Sequence, residues 1–121
     1  AGWYRECSII PHTTDFDFAA FSEEYTRELV PETDNSNEFR VLRMLGQPAD
    51  SFELTFVPLP RGPSMDLFFI YRTNNSSYTP GIDGLNKIRW EYSWQIERLC
   101  TGELLGHLFI VPCEVELILE V

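Results

Sequence analysis

The chain has 121 residues, of which 44% are hydrophobic and 23% charged. That is the size and composition of one ordinary globular domain and argues against general disorder. Nine basic residues against 19 acidic ones give a net charge of -10, which argues against a broad nucleic-acid or membrane-surface footprint because phosphate polyanions are repelled. One small phosphate-bearing ligand held through a metal ion remains compatible with that charge, and no apolar run approaches the roughly 18–20 residues of a bilayer span.

Both ends read as cut. Gly2-Trp3-Tyr4 starts abruptly with aromatic residues, and the apolar stretch 115–121 stops in mid-pattern. The expectation is a single partial domain over residues 1–121, truncated at both ends, with room for a signal peptide or anchor upstream. Residues 3–6 fit the tail of a helix, and Pro11 opens a loop. Phe16, Phe18 and Phe21 mark a short strand from about Asp15 to Phe21. Ser22 is a good N-cap, Glu23 and Glu24 suit the positive end of a helix dipole, and Pro31 is expected to stop that helix. Residues 32–37 read as a polar loop.

Strands follow. Phe39 to Leu45 is one, ended by Gly46-Gln47-Pro48. Ser51 to Leu59 alternates, with Phe52, Leu54 and Phe56 on one side and Glu53 and Thr55 on the other, as in a half-buried antiparallel strand. Met65 to Arg72 contains Leu67-Phe68-Phe69-Ile70, apolar without alternation, so it is expected to be covered on both faces. Residues 73–86 are rich in Asn, Ser, Gly and Pro and read as a loop. Lys87 to Trp94 alternates with Ile88, Trp90, Tyr92 and Trp94 on one face; His107 to Val111 is a short strand; the segment after Pro112 fits a helix. Five or six strands with helices at the edges predict an α+β fold with a mixed or antiparallel sheet flanked by helices.

Asp15-Phe16-Asp17 is the sharpest chemical feature. On a strand, residues i and i+2 point to the same side, about 6.6–6.8 Å apart at Cα. Two carboxylates about 4 Å apart repel by roughly 4 kcal/mol at an effective dielectric near 20. No Lys or Arg stands between Arg5 and Arg27 to neutralise them. Hard oxygen ligands without a His or Cys cluster favour Mg²⁺ or Mn²⁺ over zinc. An Asp-x-Asp alone also fits a solvated strand end. Asp66 strengthens the metal reading, because an acid beside Met65 and the run 67–70 is costly unless paired or coordinated. If its strand lies beside the first, Asp66 is a third carboxylate on the same ion; otherwise it caps the turn at Pro60-Arg61-Gly62-Pro63. An Asp-x-Asp between apolar residues followed by a strand with a single Asp is typical of nucleotidyltransferase-type sites.

Residues 2–18, from Gly2-Trp3-Tyr4-Arg5 through Ile9-Ile10-Pro11 to Asp15-Phe16-Asp17-Phe18, resemble the signature of the fukutin/LicD family. Thr101 to Pro112 is similar to a later segment of that family. Two departures stand out: Thr14 replaces a frequent extra Asp, and the Gly-Thr/Ser turn of the signature lies before the first residue. The resemblance implies a nucleotidyltransferase-like fold and a metal-dependent transferase active in glycosylation. Such an enzyme moves a phosphorylated alcohol, of the ribitol phosphate or phosphocholine type, from a CDP-linked donor to a glycan or glycoprotein hydroxyl. It implies Mg²⁺ or Mn²⁺ on Asp15, Asp17 and Asp66, with Asp17 also taking the proton of the attacking hydroxyl. It places the protein in the secretory pathway, in the Golgi lumen, with a membrane anchor outside this chain. The alternative is a non-catalytic lumenal or glycan-binding domain that keeps the fold without activity.

Other residues carry two readings each. Arg5 either contacts a donor phosphate or pairs with a surface acid. His12 reads first as polar loop surface and His107 as structural. Trp90, Tyr92 and Trp94 read first as core, with stacking on a cytosine or sugar ring as the alternative; Lys87 and Arg89 fit a diphosphate or solvent. Cys100 and Cys113 either close a short disulfide loop or sit as small buried hydrophobes. Asn74-Asn75-Ser76-Ser77 holds two overlapping glycosylation sequons. No P-loop, G-x-G-x-x-G or G-x-S-x-G occurs.

Overall fold

The apolar run Leu67-Phe68-Phe69-Ile70 becomes the strand around which the chain is organised. The computed structural model describes residues 2–83, 85–92 and 96–119, with Ile82 and Asp83 described by their backbone alone. The elements are α1 (Gly2–Glu6), β1 (Asp15–Phe21), a 3-10 turn (Ser22–Glu24), α2 (Leu29–Asn35), β2 (Phe39–Gln47), β3 (Asp50–Pro58), β4 (Ser64–Arg72), β5 (Ser77–Asp83), β6 (Asn86–Tyr92), β7 (Leu99–Leu104), β8 (His107–Pro112) and α3 (Val115–Leu119). The architecture is α+β, with a mixed and mostly antiparallel sheet accompanied by short helices.

Six strands share one sheet. The path β2-β3-β4-β5-β6 is antiparallel, and β1 joins it by running parallel to β4; β7 and β8 form a separate hairpin. The β1–β4 register sets Asp15 opposite Ser64 and Asp17 opposite Asp66. On the other side of β4, Thr55 of β3 stands opposite Asp66. The expected adjacency of the first strand and the buried one therefore holds.

The two faces of β4 bury different side chains. Phe69 and Tyr71 pack with Phe52 and Leu54 in the main core, joined by Tyr25, Leu29 and Val30. Ile70 packs with Tyr92 and Ile96 in a second cluster that includes Phe21 and Ile118 of α3. Two cores on two faces explain why the run does not alternate. Tyr25 meets Phe52 and Phe69 edge-on, with ring centroids 5.2 and 5.6 Å apart, an arrangement the aromatic quadrupole favours. Burying a side chain such as Leu54 or Phe69 stabilises by about 1.5–3 kcal/mol.

Several expectations change. Pro31 lies in the first turn of α2 and does not stop a helix. The first-turn N–H groups have no intrahelical acceptor, so proline loses nothing there and residues 32–35 are helical. The segment from Ser22 forms only a 3-10 turn whose N-cap is Phe21, with the Phe21 N–H donating to Glu24 at 3.3 Å. The stretch 73–86 contains β5, and β7 precedes His107, so the strands outnumber the five or six expected. Pro80 is tolerated because β5 pairs with β4 only at Ser77 and Tyr78, leaving no ladder bond to lose on that side at position 80. Glu53 and Thr55 are buried like their neighbours, because β3 is an interior strand whose polar side chains meet Arg43 of β2 and Asp66 of β4. Phe18 is 45% exposed, since β1 has β4 on one side and, among the described residues, no strand on the other. Tyr92 is core and Trp90 is 49% exposed; Trp94 lies outside the described residues.

Gly46 turns β2 into β3 at φ +73, and a Cβ there would collide with the Ser51 carbonyl, so only glycine fits. No helix among the described residues is long and apolar enough to cross a membrane. Cys100 in β7 and Cys113 after β8 form a disulfide with Cα atoms 5.0 Å apart, and Cys7 is free and exposed. The β7–β8 hairpin also receives α1, through Trp3 Nε1–H to the Glu103 carbonyl at 2.8 Å. Replacing both bridged cysteines by Ser is expected to lower stability by at most about 3 kcal/mol. Thermal melting of the double variant checks this, and an unchanged midpoint would mean that the ladder alone holds the hairpin.

Candidate metal centre

Period-two alternation puts Asp15 and Asp17 on one side of β1, and the parallel register brings Asp66 beside Asp17. One carboxylate oxygen from each of the three residues lies within 4.8 Å of those of the other two. At that spacing each pair repels by roughly 3–4 kcal/mol at an effective dielectric near 20. Arg43, Arg72, Arg89 and Arg98 pair with Glu53, Glu23, Asp50 and Glu114. Among the described residues no Lys or Arg forms an ion pair with the three aspartates. Thr55 Oγ1 donates to Asp66 Oδ1 at 2.5 Å, so Asp66 is oriented across the sheet and not toward the 60–63 turn.

Loss of hydration pushes the Asp17 carboxyl above the usual carboxylate range, and the charges of Asp15 and Asp66 push it further. Burial pushes Glu53 up as well; Asp66 and Asp17 add to this, while the Arg43 guanidinium at 3.3 Å opposes it. A raised folded-state pKa contributes stability that is full below the unfolded value, near 4, and is lost as pH rises through the folded value. The metal-free protein should therefore gain stability from these groups as pH falls from neutral toward about 4. Asp17→Asn should remove its share of the gain, and identical pH–melting profiles for the two proteins would place the dependence on other groups.

The donor set fits a hard divalent cation: carboxylate oxygens, converging and unneutralised. His12, in the loop before β1, and His107, on β8, are both exposed and outside the group. Asp17 also lines a cleft of ≈ 920 Å³ whose other walls include Arg43, Glu53, Gly81 and Trp90. Arg5 is exposed on α1 and is not among the cleft residues. Arg89 is engaged by Asp50 at 2.8 Å and lies over the Tyr78 ring, which leaves Lys87, exposed on β6, as the unengaged cation of that pair.

Sequence reasoning did not assign Thr55, Glu53 or Arg43 to the site. The signal for the first two was present in the alternation of β3, which puts them on the face opposite Phe52 and Leu54. Knowing that this face looks onto the carboxylates required the strand order.

The chain is 37% identical over 119 residues to one uncharacterized Caenorhabditis elegans protein and 39% identical over 118 residues to another. Each match covers 93% of this chain and 31% of the relative. It is 27% identical over 113 residues to the human protein named ribitol-5-phosphate transferase FKTN, again over 93% of this chain and 24% of the relative. The chain thus spans about a third or less of the length of the curated relatives it matches. No protein-family model matches it. No solved structure matches it either. The similarity extends well beyond residues 2–18, so it takes in the strands that carry Asp15, Asp17, Thr55 and Asp66 together.

Proposed function

We propose that this chain carries the metal centre of a transferase that moves a phosphorylated alcohol from a CDP-linked donor to a glycan hydroxyl. The observation that carries the reading is the convergence of the Asp15, Asp17 and Asp66 carboxylates from two adjacent strands without a basic partner. Similarity to a ribitol-5-phosphate transferase supports the reaction class and a donor of the CDP-ribitol type. A parallel strand pair with an Asp-x-Asp on one member and an Asp on the other is compatible with a nucleotidyltransferase-like fold.

Asp15, Asp17 and Asp66 would hold Mg²⁺ or Mn²⁺. When bound, the ion supplies positive charge that neutralises a donor diphosphate and the departing CMP. The side chains of this chain perform the remaining tasks. Thr55 fixes one oxygen of Asp66. Asp17, the exposed carboxylate of the three, accepts the proton of the glycan hydroxyl. That hydroxyl oxygen forms a bond to the alcohol-bearing phosphorus, and the bond to CMP breaks with its electron pair leaving on CMP. The disulfide and the exposed Asn74 and Asn75 sequons support a lumenal compartment of the secretory pathway, with any anchor outside this chain.

Thermal melting with Mn²⁺, CDP or both tests the reading. Stabilisation by CDP that requires Mn²⁺ is expected, of about 2.7 kcal/mol at a hundredfold excess over the dissociation constant. A domain that kept the fold and lost the chemistry would show no response to either ligand.

A further inference from the structure

The cleft wall formed by β5 and β6 takes no part in holding the carboxylates. Trp90 and Tyr92 share one face of β6, yet Tyr92 is buried and Trp90 stands half exposed in the cleft. The Trp90 ring leans on Gly81, its diagonal neighbour across the β5–β6 ladder, where Thr79 is the paired residue. A Cβ at Gly81 would come within 2.7 Å of the indole nitrogen. The missing side chain therefore lets the ring lie against the backbone and not stand off it. An indole supported in this way and open to a cleft is a preorganised stacking surface.

The charge of the cleft selects what stacks there. Asp17 is exposed and accepts hydrogen bonds, whereas Glu53 is buried and engaged with Arg43. A neutral pyranose matches both features, since its hydroxyls donate to carboxylates while its C–H face covers the indole. A nucleobase stacks as well, but the phosphates of its nucleotide need a cation at Asp17, whereas a neutral sugar needs none. We propose that Trp90, seated on Gly81, binds a neutral sugar ring, with the exposed Asp17 carboxylate accepting its hydroxyls; naming that ring the acceptor glycan's rests on the transferase reading.

The probes are lactose and N,N′-diacetylchitobiose, with cytidine in parallel, titrated into the chain in EDTA and followed by saturation-transfer NMR. The wild type should bind at least one disaccharide at millimolar concentration. Trp90→Ala should weaken that binding by about tenfold or more, as for a stacking hot spot. Trp90→Phe should retain most of it, and Gly81→Ala should weaken it by displacing the ring. Circular dichroism confirms the fold of each variant. Absence of disaccharide binding by the wild type, equal binding by Trp90→Ala, or Trp90-dependent binding of cytidine alone would each overturn the proposal. EDTA removes divalent ions, so the outcome is independent of whether the metal centre exists.

Discussion

Asp17→Asn is expected to abolish transfer in the full-length protein while leaving the fold intact. The substitution keeps size and much of the hydrogen bonding but removes a charge from the proposed hard-cation site and removes the proposed proton acceptor. Losing a group that merely supports a metal ligand costs 10–100-fold, so losing a ligand should cost at least about a hundredfold. Stability should move the other way. The three carboxylates each bring an oxygen within 4.8 Å of the others and store repulsion when no ion is present. Metal-free Asp17→Asn should melt at the wild-type temperature or above it, and Asp15→Asn should do the same. Asp66→Asn keeps an oxygen for the Thr55 hydroxyl and should also fold. Turnover of a CDP-linked donor, with melting curves recorded with and without Mn²⁺, checks all three. Retained activity in any two of them would place the site elsewhere.

Phe69→Ala is expected to be the most damaging single change to the fold. Phe69 is 2% exposed and packs against Phe52, Tyr25 and Leu54 at the centre of the main core. A large aromatic replaced by Ala at such a site costs about 3–5 kcal/mol, against a total stability of about 5–15 kcal/mol. Its strand also carries Asp66 three residues earlier, so loss of the core loosens the site. Leu108→Ala is the control: Leu108 is 75% exposed, and the change should stay within about 0.5 kcal/mol. Chemical denaturation measures both. A loss below about 1 kcal/mol for Phe69→Ala would show that the main core is not where the structure puts it.

Much of this was legible in the residues themselves. The unbroken apolar run 67–70 announced a strand buried on both faces, and the grouping of Asp15, Asp17 and Asp66 was legible because carboxylates beside apolar strands need a reason. Other features depended on what the chain meets in space. Pro31 looked like a helix stop because its position within the turn, not its identity, decides whether a missing N–H matters. β5 was hidden by Pro80 and Gly81, which are tolerated because β5 pairs with β4 at only two residues. Alternation put Glu53 and Thr55 together on one face but gave no sign that Arg43 and Asp66 cover it. The same alternation made Trp90 and Tyr92 equivalent, whereas one enters a core and the other a cleft.

Manganese uptake tests the central claim most directly. Electron paramagnetic resonance counts free Mn²⁺ during a titration of the chain, without needing donor, acceptor or turnover. The account predicts that the wild type binds Mn²⁺ and that Asp15→Asn, Asp17→Asn and Asp66→Asn each lose that binding while remaining folded. Mn²⁺ binding that survives all three substitutions, or a wild-type chain that binds none, would contradict it.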